Sequence, residues 1–147
     1  MDVMVDGHGY VGNGGSPVTY ACILQEAHKQ HLDPAVLLAV LRTENGRTGK
    51  TSRNKNGSVD IGPFQINSTY LADTARRINL PVNYVYVQTM HNGCFNAAIG
   101  AWVLRTKINA AKGDVWKGVA WYNSANSPGQ TYRIKVAHKY RPFHQEF

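Results

Sequence analysis

The stretch CFNAAIGAWVLRTKINAA, residues 94–111, reads as a helix that is apolar on two faces. Ala97, Ala101, Leu104, Ile108 and Ala111 follow one helical stripe, and Ile99, Trp102 and Val103 follow another. A helix with two faces to hide needs neighbours on both sides, so it is expected at the centre of its domain. The rest of the chain must be able to cover it. With 147 residues, 43% of them apolar, the chain has material for one sizeable core and no internal repeat to divide it. Residues 17–147 are expected to form that domain, and the glycine-rich, aperiodic residues 1–16 to be a flexible lead-in.

The covering elements also read mainly as helices. In residues 18–31, Ala21, Leu24, Ala27 or His28, and His31 share a stripe. Asp33 then stands as an N-cap before Pro34, and the helix PAVLLAVLRTEN is expected to stop at Gly46. Residues 46–58 are turn-rich and basic. The apolar, β-branched VDIGPFQI that follows, between Asn56-Gly57 and Asn67, predicts a small irregular β-hairpin. Ser68 is read as capping another helix, and a variable region surrounds Pro81. Asp114 caps VWKGVAWY, the loop NSANSPGQ breaks it, and a last basic helix covers about Thr131 to Lys139. The fold class is α+β and predominantly helical.

Sixteen Lys and Arg against nine Asp and Glu give a formal charge of +7, which draws the protein to polyanions. Nucleic acid, an anionic membrane surface and bacterial cell wall all qualify. The cations are scattered apart from a loose cluster from Arg133 to Arg141, which is no recognisable arginine-rich motif. Nucleic-acid binding is therefore the lesser class. No apolar run reaches the ~20 residues of a membrane span, and the opening residues lack the basic-then-apolar order of a signal peptide. Cys22 and Cys94 have neither CxxC nor zinc-finger spacing. They are two buried thiols or one disulfide; a disulfide would close roughly 70 residues and contribute about 4 kcal/mol.

Glu44 is the first candidate for chemistry. It continues the stripe Leu37, Val40, Leu41 at the C-terminal, negative end of a helix dipole. Desolvation and the dipole both raise a carboxyl pKa, as a general acid near neutral pH requires. A glutamate reaching solvent from a helix end is the competing reading. Asp60 follows across the polar loop, on the hairpin, where a cleft between helix end and sheet would present two carboxylates. A turn aspartate bonding its own backbone is the plainer alternative. The loop from Ser52 to Pro63 imitates EF-hand phasing but lacks carboxylates at its first and twelfth places, so calcium is rejected. His28 and His31 share a predicted face with no third ligand, and neither cysteine has a histidine placed with it in sequence. No metal or cofactor is expected.

Glu44, the polar loop and NKNGSVDIGPFQINS together resemble the lysozyme-like superfamily. The likeness is greatest to the lytic transglycosylases that accompany conjugation, secretion and pilus machines. Their signature is a catalytic Glu followed by Asn-x-Asn-Gly-Ser-x-Asp-x-Gly-x-x-Gln-Ile-Asn. CFNAAIGAWVLRTKI is similar to the family's Cys-x-Asn-x-x-x-Gly-Ala-x-x-Leu helix, and GVAWYNSA to its Ala-x-Tyr-Asn strip. The resemblance implies that Glu44 protonates the β-1,4 oxygen between N-acetylmuramic acid and N-acetylglucosamine. The muramoyl 6-hydroxyl would then attack C1 and leave a 1,6-anhydro end. Asp60 would be essential only if water attacks, as in a hydrolytic muramidase. Gln65 and Asn67 would hydrogen-bond sugar and loop, and Tyr122 with Asn123 would close the cleft. Phe64 and Trp121 are candidates to lie under saccharide rings, although core packing is the favoured role for each. The resemblance also implies a Cys22–Cys94 disulfide, a periplasmic or otherwise exported location, peptidoglycan strands as partner, a monomer, and service to a larger machine. A non-catalytic wall-binding scaffold is a further alternative. The chain departs from the family pattern at Asn45, where Ser is usual, at GPFQ for Gly-Leu-Met-Gln, and at YNSANSPG for Tyr-Asn-Ala-Gly.

Overall fold

The computed structural model describes residues 15–123 and 127–144. In chain order the elements are α1 (Tyr20–Lys29), α2 (Pro34–Glu44), β1 (Thr51–Arg53), β2 (Val59–Ile61) and β3 (Ile66–Asn67). A short 3-10 turn (Ser68–Tyr70) leads to α3 (Leu71–Ile78), α4 (Val82–His91), α5 (Gly93–Ala110), α6 (Val115–Asn123) and α7 (Ser127–His144). Residues 1–14, the greater part of the expected lead-in, lie outside the described residues, as do 124–126 of NSANSPGQ.

α5 is the centre of the helical layer, with α1, α4 and α6 packed around it. Ala97, Ile99, Ala101, Val103, Leu104 and Ile108 are all buried, so both expected faces are covered. α2 is deeper than a single stripe implies, because every residue from Ala35 to Leu41 is buried. Asp33 Oδ1 accepts from Ala35 N at 2.9 Å, and Pro34 opens the helix as expected. α7 lies against both α2 and α6.

Several local expectations are corrected. α1 buries Cys22, Ile23, Glu26 and Ala27, whereas Leu24 is 45% exposed. The apolar count along α1 fits two stripes, and the Cys22–Cys94 disulfide to α5, with Cα atoms 5.6 Å apart, lies on the buried one. His31 lies beyond the helix at φ +55°, so it shares no helical face with His28. α2 ends on Asn45, which adopts the left-handed conformation at φ 54°, rather than on Gly46. Gly46 is needed for another reason: any Cβ there would collide with the Gly62 carbonyl.

The hairpin exists as β2 and β3, and β1 adds a third antiparallel strand from within the turn-rich segment. Thr51, Ser52 and Arg53 are all exposed, so the ladder to β2 defines this strand and no apolar alternation marks it. The residue capping the next turn is Asn67, whose Oδ1 accepts from Thr69 N at 3.1 Å. Ser68 Oγ instead accepts from Val59 N at 3.1 Å. α4 arises in the region around Pro81 that the sequence leaves variable. Its VNYVYVQTMH sequence is rich in β-branched and aromatic residues that favour strands in isolation, but Val85 is buried with Ile61, Leu71 and Ala75 in a second small core. α7 begins four residues before Thr131 and runs past Lys139. Among the described residues no helix is long and apolar enough to cross a membrane.

Candidate active site

The polar loop is built by its own side chains. Gly57, at φ +87°, turns the chain, and Gly57 N donates to Asn54 O at 3.1 Å. Ser58 Oγ donates to Asn56 Oδ1 at 2.6 Å and accepts from Asn54 Nδ2 at 3.1 Å. Asn67 Nδ2 reaches the same oxygen from β3 at 3.1 Å and Asp60 Oδ1 at 3.0 Å. Asn54, Asn56 and Ser58 thus spend their polar groups on loop geometry, and the result is a fixed Asp60. In register, Asp60 stands opposite Ser52 on β1 and Asn67 on β3.

Glu44 faces this sheet as the last residue of α2. From there the chain crosses to the hairpin through Gly46 N, which donates to Pro63 O at 3.2 Å. Between helix end and sheet opens a cleft of about 640 Å³. Glu44, Asp60, Gln65, Asn67, Tyr122 and Asn123 all line it, together with Tyr70 and Val103. Such a volume suits a small ligand or a short run of sugars, and the lining is mainly hydrogen-bonding. Gln65 sits at φ 52° and donates through Nε2 to Gly62 O at 2.9 Å, which fixes its side chain at the cleft wall.

Phe64 does not line the cleft. It is fully buried, so it supports the site from the core and cannot lie under a sugar. Its ring fills the space over Gly100, where a Cβ would stand 2.7 Å from Phe64 Cγ. Its backbone is clamped: the N–H donates to Asn96 Oδ1 at 2.9 Å and the carbonyl accepts from Tyr122 Oη at 2.9 Å. Trp121 lies outside the cleft lining and carries the Lys117 ammonium 5.1 Å from its ring centre. Asn96, fully buried, also donates to Ile61 O at 2.8 Å and Thr89 O at 2.9 Å. This gives physical roles to the Asn and Gly of CFNAAIG: one ties the sheet to α5, the other admits Phe64.

The Glu44 carboxyl is pushed from 4.5 up to about 7. Burial is the main cause; the Asp60 charge adds to it, and Tyr132 opposes both by favouring the anion. Tyr132 had no place in the sequence reading. It reaches Glu44 from α7, its hydroxyl buried and short of regular hydrogen-bond geometry with any group. Its ring stacks on Tyr122 with centroids 6.4 Å apart. Burial and the nearby Glu44 raise both phenols well above their ordinary value, so they stay neutral donors at physiological pH. The signal for Tyr132 was its spacing: Tyr132, Val136 and Tyr140 recur every four residues as the inner stripe of α7, with a hydroxyl at the cleft end.

A helix-end carboxyl held protonated near neutrality, facing a polar three-stranded sheet across an open cleft within a helical body, is the arrangement of a lysozyme-like lytic transglycosylase. The chain belongs to the transglycosylase SLT domain family, whose model matches residues 21–141. Among its relatives is invasion protein IagB of Salmonella typhimurium strain SL1344, 25% identical over 126 residues, which cover 82% of this chain and 75% of that one. Invasion protein IagB of Salmonella typhi matches to the same extent. In three dimensions the chain is similar to an inactive glutamate-to-glutamine mutant of lytic transglycosylase Slt from Pseudomonas aeruginosa. That match has a TM-score of 0.70 at 17% identity over 86% of this chain, and it is a likeness of fold. The chain spans only 24% of that larger protein.

Proposed function

We propose that this domain cleaves peptidoglycan at the β-1,4 bond between N-acetylmuramic acid and N-acetylglucosamine by lytic transglycosylation. The observation that carries the reading is Glu44, a cleft carboxyl with a pKa of about 7. Near neutral pH it holds a proton to give and, once ionised, can take one back. Glu44 protonates the glycosidic oxygen as the C1–O bond breaks. The 6-hydroxyl of the same muramoyl ring attacks C1, and its proton returns to Glu44. The sugar supplies the nucleophile, so one titrating carboxyl suffices. Asp60, held by Asn67, lends negative charge opposite the developing oxocarbenium ion. Gln65, Asn67, Tyr122 and Asn123 position the glycan. The inactive glutamate-to-glutamine form of the fold relative supports a mechanism in which a glutamate is required.

Asp60 also favours a second reading, a hydrolytic muramidase, because it is a fixed carboxylate on the opposite wall of the cleft. The setting we propose is the periplasm or another exported location, which the Cys22–Cys94 disulfide favours. The name of the IagB relatives as invasion proteins supports service to a secretion-type assembly. The test is a digest of purified peptidoglycan with wild type and Glu44→Gln, read by mass spectrometry. Glu44-dependent 1,6-anhydro ends support transglycosylation, and Glu44-dependent reducing ends support hydrolysis. Binding without release by either form would make the domain a wall-binding scaffold.

A further inference from the structure

From Val115 to Gln145 the sequence contains no acidic residue and five Lys or Arg. Four of these, Arg133, Lys135, Lys139 and Arg141, belong to α7, and all four side chains are exposed, as is His138. None of the five α7 side chains has an ion-pair partner among the described residues. The acids that meet α7 do so on its inner side: Asp33 Oδ2 accepts from Tyr140 Oη at 3.2 Å, and Glu44 faces Tyr132. The outer arc of α7 is therefore an uncompensated strip of positive charge. It shares no residue with the lining of the cleft.

The strip is also apolar in one place. Ile134 of this arc is 55% exposed, and Val115, which precedes Trp116 at the start of α6, is 39% exposed. Ile134 lies between Arg141 and His138 on the helical wheel and borders a groove of about 340 Å³ with Trp116, Arg133 and Ala137. We propose that this outer arc of α7, with Val115 and Trp116 of α6, docks the domain peripherally on an anionic phospholipid bilayer. Cations there meet lipid phosphates while Ile134 and Val115 enter the headgroup boundary. A glycan offers only single sugar faces and methyl groups, so it covers an isoleucine less fully than the headgroup boundary of a bilayer does. Nucleic acid would call for an exposed ring to stack on, yet the Trp116 ring is engaged edge-on by Tyr140 at 5.3 Å and Trp121 lies beneath Lys117.

The test is sedimentation of the full chain with vesicles of equal parts phosphatidylglycerol and phosphatidylethanolamine, against vesicles of phosphatidylcholine alone. Wild type is expected to partition onto the anionic vesicles only, and less as salt rises. The double variant Arg133→Gln/Arg141→Gln is expected to lose roughly thirtyfold in partition. Ile134→Ser is expected to lose about tenfold at unchanged charge. Both variants should keep the wild-type unfolding midpoint and wild-type retention on purified peptidoglycan. Equal partition onto phosphatidylcholine, or variants that bind anionic vesicles like wild type, overturns the proposal. So does an arginine-dependent loss confined to peptidoglycan or to duplex DNA, which would assign the strip to that polymer instead. The readout involves no cleavage and stands apart from the proposed activity.

Discussion

Asn67 Nδ2 donates to Asp60 Oδ1 at 3.0 Å, so the second carboxyl of the cleft is oriented by a residue of the neighbouring strand. If the sugar hydroxyl is the nucleophile, Asp60 contributes only charge and shape. Asp60→Asn is then expected to retain turnover within about tenfold of wild type, measured on purified peptidoglycan. A loss of about a thousandfold would give Asp60 a bond-making or proton-transfer role.

Glu44→Gln removes the acid and is expected to lower turnover by about a thousandfold or more. It should also stabilise the protein at alkaline pH. The folded-state pKa of about 7 lies above the ordinary 4.5, so the native state holds the proton more tightly. Glu44 therefore favours folding fully below about pH 4.5, and this contribution is lost as pH rises to 7. The loss is bounded at about 3 kcal/mol by the size of the shift. Denaturant titrations at pH 5 and pH 8 should show a stability difference in wild type that is smaller in the Gln variant.

Tyr132→Phe tests the α7 contribution to acidity. The phenol favours the Glu44 anion. Without it the carboxyl pKa rises, and the alkaline limb of the activity profile should move to higher pH. A profile that keeps its midpoint while the rate alone falls would leave Tyr132 a packing role.

Much of this site was legible because its parts are local. Asp33-Pro34 announces α2, the stripe Leu37, Val40, Leu41 delivers Glu44, and Asn56-Gly57 announces the turn before Asp60. What was not legible depends on partners distant in the chain. β1 has no apolar pattern and exists through β2. α4 contradicts its own local preferences because Val85 is needed in the small core with Ile61 and Leu71. The buried side of α1 is shared with a disulfide whose partner lies 72 residues away. Phe64 is open to both a ligand and a core role in the sequence, with core packing favoured, because an aromatic ring beside Gln65 reads the same whether it faces in or out. Gly100, four residues after Asn96, decides that it faces in.

Gly100→Ala would drive a methyl group into the Phe64 ring. Overpacking of this kind is expected to destabilise by about 1–3 kcal/mol. Because the Phe64 carbonyl anchors Tyr122, KM on glycan should rise as well. Thermal unfolding together with steady-state kinetics would check both effects.

Cys22→Ser/Cys94→Ser opens the α1–α5 crosslink. The expected loss is about 4 kcal/mol, with turnover at low temperature little changed, since neither sulfur lines the cleft. Denaturant unfolding of the oxidised and reduced wild type should bracket the variant.

The two walls of the cleft are unequal in how they are held. The wall bearing Glu44 is rooted in a helix buried along most of its length. The other is a sheet of strands two or three residues long, tied to α5 by the amide of Asn96 and by the Phe64 ring packed over Gly100. That amide bonds to groups of Ile61, Phe64 and Thr89 at once, so one side chain links the sheet to both α5 and α4. The molecule is thus a fixed jaw and a latched one. The latched wall is expected to open more readily than the rooted one, which amide hydrogen exchange along residues 59–67 compared with 35–44 would check.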